Sequence, residues 1–126
     1  MATKIPLQDN IIVEKTFMFA VRIIKFTQIL QEQKQYVLAN QLMRSGTSIG
    51  ANTREAQNAE SKADFIHKFK IAAKEADEAE YWLLLANEVL VDPVIPILLE
   101  DLKIIQKIIT KIIATTKNQI ANRSKD

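Results

Sequence analysis

Lys62-Ala-Asp-Phe-Ile-His-Lys-Phe-Lys-Ile-Ala-Ala-Lys-Glu-Ala-Asp-Glu-Ala-Glu-Tyr-Trp-Leu-Leu-Leu-Ala-Asn-Glu-Val-Leu90 decides the fold. Phe65, Phe69, Ala72, Ala76, Ala79, Leu83, Ala86 and Leu90 alternate steps of four and three, which is one apolar seam along a helix over more than three heptads. The same rhythm recurs on both sides of it. Upstream it runs through Leu38, Leu42, Ser45, Ile49, Asn52, Ala56 and Ala59, and before that through Val13, Phe17, Ala20, Ile24 and Thr27. Downstream it runs through Leu98, Leu102, Ile105, Ile109, Ile112 and Thr116. Four such segments with short connections predict an all-α, antiparallel up-and-down four-helix bundle in a single domain spanning 1–126.

The segment ends follow from local chemistry. Proline occurs only at 6, 93 and 96, so the earlier turns must come from polar breaks. Glu32-Gln33-Lys34 supplies one and Asn58 to Lys62 the next. Ser61 followed by Asp64 reads as an N-cap with an acid in the first turn, and Asp92-Pro93 as a cap followed by a residue that needs no N–H. Pro96 could set that start back by a turn. The helices are therefore expected near 9–31, 35–59, 62–90 and 94–120.

Composition agrees. The 126 residues are 48% hydrophobic and 25% charged, as in an ordinary globular domain, and two glycines with three prolines are too few for the turns of an all-β sandwich. Cysteine is absent, which removes disulfides, thiolate metal sites and cysteine nucleophiles. The first ten residues hold no apolar run of signal-peptide length and no segment reaches a membrane span, so a soluble, cytoplasmic protein without membrane contact is expected.

Catalysis and cofactors are not expected. A di-iron bundle needs two inward Glu-x-x-His pairs, but His67 is the one histidine and Asp64 stands three residues before it. Both glycines lie within a helix, without the ending of a phosphate loop. No catalytic, metal or cofactor-binding residue is assigned.

Two polar features remain inside the pattern. Gly46 and Gly50, four apart, predict close packing of the second helix against the third, with a flexible hinge as the alternative. Ser45 and Asn52 fall on the seam, with Arg44 and Glu55 beside them and Glu75, Asp77, Glu78 and Glu80 on the third helix. A buried amide without partners costs a few kcal/mol, so a polar network through Arg44, Ser45, Asn52 and Glu55 that fixes register is expected.

The run Arg44-Ser-Gly-Thr-Ser-Ile-Gly-Ala-Asn-Thr-Arg-Glu-Ala56, with Glu60 to Ala72 and Lys74-Glu-Ala-Asp-Glu-Ala-Glu-Tyr-Trp-Leu83, resembles a bacterial family. Its members are four-helix bundle proteins encoded within intervening sequences of 23S ribosomal RNA genes and sometimes labelled ribosomal-protein-like. The resemblance runs from about Phe17 to Lys117. It implies an all-α bundle that assembles into a ring, commonly a homopentamer, and no assigned activity for most members. A related branch comprises accessory proteins of diversity-generating retroelements, which implies RNA or a reverse transcriptase-type protein as partners.

Helix amphipathicity speaks to assembly independently. On the fourth helix Ile97, Ile104 and Ile108 widen the seam on one flank, and Leu99 and Ile113 on the other, to roughly 220° at 100° per residue. On the first, Ile12, Phe19, Ile23, Phe26 and Leu30 flank the seam. A lone bundle has difficulty burying both arcs, so contact between copies through Phe19, Ile23, Phe26, Ile97, Ile104 and Ile108 is expected. The alternative is that loops or the arm of residues 1–8 cover the excess.

Charge is uneven along the chain. Residues 64–101 carry three basic and nine acidic groups, whereas 102–126 carry six and one. Lys103, Lys107 and Lys111 repeat every four residues opposite the apolar arc, and Lys15 and Arg22 hold an outer position on the first helix. A lysine stripe repeated round a ring would bind phosphate multivalently and without base specificity. The expected function is a non-enzymatic, oligomeric RNA or ribonucleoprotein accessory factor. The alternative is a structural or protein-interaction module with no nucleic-acid affinity.

Overall fold

In the computed structural model, which describes residues 10–124, four helices follow one another: α1 (Ile11–Glu32), α2 (Tyr36–Ala56), α3 (Lys62–Val89) and α4 (Val94–Ser124). The expected start of the first helix at residue 9 and the arm of residues 1–8 lie outside the described residues. Each helix packs on its neighbours in sequence and α4 closes on α1, while the diagonal pairs do not meet. Cross-helix bonds show the antiparallel order. Asn10 at the start of α1 donates to Gln57 after α2 at 2.7 Å, and Lys62 at the start of α3 donates to Gln119 near the end of α4 at 3.1 Å.

The ends are made as polar chemistry dictates. Asn10 Oδ1 accepts from the Val13 N–H at 3.3 Å, and Ser61 Oγ from the Asp64 N–H at 3.0 Å. Asp92 Oδ1 accepts from the Val94 N–H at 2.9 Å, so α4 starts there and Pro96 falls in the first turn, where no N–H is required and no delay results. α1 ends in a Schellman motif: Gln35 N–H donates to Leu30 O at 2.8 Å and Lys34 N–H to Gln31 O at 2.9 Å. That motif holds Lys34 at φ 62°, a left-handed position where glycine is more usual.

The core is apolar and, in α3, lined by small side chains. Phe69, Ala72, Ala76, Ala79, Leu83 and Ala86 of α3 are fully buried, as are Ile95, Leu98, Leu102, Ile105 and Ile109 of α4. The alanines leave room for Phe19, Phe26 and Leu30 of α1 and for Leu42 and Ile49 of α2, which join the same cluster.

Two expectations are corrected here. On α1 the buried stripe is centred on Ile12, Thr16, Phe19, Ile23, Phe26 and Leu30, one residue out of step with the seam read from the sequence; of that seam Val13 and Thr27 are buried and Ala20 is half-buried, while Phe17 and Ile24 are exposed. Both stripes obey the four-three rhythm, so periodicity alone does not choose between them; the surface that α1 meets does. A Cβ on Gly46 would stand 2.9 Å from Ile23 Cγ2, and one on Gly50 would stand 3.2 Å from the Thr16 carbonyl oxygen. The glycines therefore admit α1, not α3, and they select the Thr16–Ile23 face.

Candidate nucleic-acid interface

Buried Leu102, Ile105 and Ile109 fix the rotation of α4 about its axis. With that rotation set, Lys103, Lys107 and Lys111 stand exposed, one turn apart. Among the described residues none of the three makes an ion pair. They form a row of exposed cations without an ion-pair partner among the described residues, the arrangement that attracts a polyanion's phosphates.

Lys15 and Arg22 of α1 are placed differently. Both line a cleft between α1 and α4 with Glu14, Met18, Asp101 and Ile104. Arg22 donates to Asp101 across this seam, so its charge is taken up within the chain. The structure therefore brings Lys15 and Arg22 together beside two carboxylates, apart from the row on α4.

The polar residues of α2 also divide. Arg44 reaches α3, where it donates to Glu75 Oε1 at 3.1 Å and to Glu78. The hydrogen bond that Arg44 donates holds the Glu78 carboxyl below the usual carboxylate range, and the same bond raises the Arg44 guanidinium. One helix end further on, Glu55 accepts from Lys68 at 2.9 Å and raises its ammonium. Ser45 is buried and donates to Gln41 O of its own helix at 3.0 Å. Asn52 corrects the expected network. It is half-buried and donates to Ser48 O at 2.9 Å, a bond within α2 that leaves it no part in cross-helix register. Thr53 occupies the buried position instead, and its hydroxyl has no partner among the described residues.

The six residues expected between copies split as well. Phe19, Ile23 and Phe26 are buried within the single chain, which corrects that expectation: they lie on the core stripe of α1. Ile97 is 53% exposed and Ile104 41%, and Ile108 is half-buried at the edge of the core. The sequence reading missed Ile11, Phe17, Met18 and Ile24, which remain exposed on α1. Choosing the α1 face that packs against Gly46 would have found Phe17 and Ile24.

The reading also missed an open groove of about 660 Å³ between the α2–α3 turn and α4, lined by Phe65, Ile108, Ile112, Lys62 and Lys111 among others. No group of three or more His, Cys, Asp or Glu among the described residues is placed to hold a metal ion. No described helix is long and apolar enough to cross a membrane.

Comparison with known families matches residues 8–111 to the model described as 23S rRNA-intervening sequence protein. Among solved structures, a protein of unknown function from the S23 ribosomal protein family of Bacteroides thetaiotaomicron is similar at 45% identity and a TM-score of 0.76. The alignment covers 81% of this chain and 97% of that one. No curated protein matches the chain.

Proposed function

The chain belongs to the 23S rRNA-intervening sequence protein family, and from that premise we propose that it acts as a non-enzymatic, oligomeric RNA or ribonucleoprotein accessory factor in the cytoplasm. The observation that carries this reading is the row of Lys103, Lys107 and Lys111, exposed and without ion pairs among the described residues. Ring assembly, with five copies the number implied by the family resemblance, would repeat this row and turn weak phosphate contacts into avid ones. The exposed apolar residues of α1 and α4, Phe17, Met18, Ile24, Ile97 and Ile104, support assembly because isolated domains seldom leave so many large side chains in water along adjacent helices. Binding to the backbone by such a row would be sequence-tolerant and salt-sensitive, and a reverse transcriptase-type protein could share the same RNA.

Titration against single-stranded RNA at low and moderate salt tests the reading. Binding that weakens with salt and is strongly reduced when Lys103, Lys107 and Lys111 all become Glu supports it; no binding at low salt, or binding indifferent to the triple change, removes it. Light scattering tests assembly, and a mass of 14.3 kDa at micromolar concentration, that of one chain, would overturn the ring.

A second reading has its own observation. Tyr81, Leu84, Leu85 and Val89 leave the C-terminal part of α3 apolar and exposed. A protein-interaction module without nucleic-acid affinity would use that surface, and would retain its mass and partners after the triple lysine change.

A further inference from the structure

Twelve residues before Arg22, which meets Asp101, the first described turn of α1 lies level with about residue 113 of α4 at equal rise per residue. The groove of about 660 Å³ straddles that level between α4 and the α2–α3 turn, lined on α4 from Ile108 to Gln119. Half-buried Phe65, Ile108 and Ile112 supply its large apolar contacts, with Ala56 and Ala59 beside them. Exposed Lys62 and Lys111 are its charged lining residues, and no carboxylate lines it among the described residues. Lys62 Nζ donates to Gln119 Oε1, a neutral partner, and neither lysine makes an ion pair among the described residues.

We propose that this groove binds a linear anionic amphiphile, specifically a medium-chain fatty carboxylate. The tail lies on Phe65, Ile108 and Ile112, and the carboxylate meets Lys62 and Lys111. The volume falls within the range of roughly 300–1,000 Å³ typical of small-molecule sites. Apolar side chains beside two cations match a ligand that is apolar along its length and anionic at one end. A cationic or neutral chain forfeits the charge-assisted hydrogen bonds that lysines make with a carboxylate. A polyanion without a tail forfeits the apolar contacts. The site is separate from the RNA reading, although Lys111 belongs to both surfaces.

Isothermal titration with dodecanoate below its micelle concentration tests the proposal on the full chain. One saturable site is expected, tightening about fourfold per methylene from octanoate to dodecanoate. The pair Lys62→Glu and Lys111→Glu should weaken dodecanoate binding about tenfold or more and leave the helical circular dichroism unchanged, since both side chains are exposed. Dodecyltrimethylammonium should bind far more weakly than dodecanoate. The proposal falls if no saturable binding occurs, if the cationic amphiphile binds equally well, or if the double substitution has no effect. It also falls if binding appears only in a chain carrying Ile5→Asp and Leu7→Asp, which would give the groove to the chain's own first residues, or only on dissociation of an oligomer, which would give it to a second copy. Lys62→Glu alone separates this proposal from the RNA reading, because Lys62 is no part of the lysine row.

Discussion

Along the α1–α2 seam, Gly46 and Gly50 let the helix backbones close on Ile23 and Thr16, whereas along the α1–α4 seam the backbones stand further apart and the long side chains of Lys15, Met18 and Ile104 line the space between them. The first contact is set by the absence of side chains and admits one geometry. The second is set by long side chains at the margins, with Ile97 and Ile104 still partly in water. Charge follows the same division. Where α2 meets α3, Arg44 and Glu55 find opposite charges, while the lysine row of α4 finds none among the described residues. In charge, the α2–α3 seam is thus matched internally, and α4 carries the row of cations left unpaired among the described residues.

The largest expected effect lies in the close seam. Ile23→Ala should destabilise the fold by about 3 kcal/mol in urea melts, through reduced burial and the cavity it leaves. Gly46→Ala should destabilise by about 1 kcal/mol, because the clash with buried, β-branched Ile23 outweighs alanine's better helix propensity. The two together should cost less than their sum, since truncating Ile23 makes room for the methyl group. Strict additivity would show that the seam is not set by this contact.

Next come the caps. Ser61→Ala and Asp92→Ala each remove the acceptor at the start of a helix, and each should lower stability by about 1 kcal/mol, read as a melting point a few degrees lower. Lys34→Gly should act in the opposite direction and raise the melting point by a similar or smaller amount, about 0.5–1 kcal/mol, because it relieves the left-handed residue between α1 and α2. A lower melting point for Lys34→Gly would mean that the lysine side chain stabilises the turn in some other way.

The smallest effect is electrostatic. Arg44 holds Glu78 below its ordinary range, so the pair's stabilisation is fully present above the unfolded carboxylate range near pH 4.3 and is lost as pH falls through the lower folded value. Both groups touch water, so its size stays under about 1 kcal/mol. Arg44→Gln should lower stability in the neutral region by up to about 1 kcal/mol and leave it nearly unchanged at acid pH, below the folded value, so that the acid limb flattens. An unaltered acid limb would remove the pair from the account of how α2 and α3 are matched.

Much of the fold was legible because its signals are local. Ser61, Asp92 and the four-three spacing of α3 and α4 each act within a few residues, and the observed caps and buried stripes follow them. The face of α1 was not legible from α1 alone. Phe17 and Phe19 both head acceptable apolar stripes, and only the glycines of α2 decide between them. Asn52 misled for a related reason: a step of one residue on α2 exchanges it with Thr53, and the polar side chain settles on its own helix. The lysine row was legible because the fourth seam was read in the right phase. The groove was not, since it depends on where three chain segments end relative to one another.

The central claim is that the uncompensated row of α4 meets phosphate, and the slope of log affinity against log salt for single-stranded RNA tests it most directly. With assembly confirmed unchanged, converting Lys103, Lys107 and Lys111 to Glu should reduce the magnitude of that slope by about 2 for each chain engaged, at roughly 0.7 for every phosphate no longer neutralised. An identical slope and affinity in the triple variant would contradict the account.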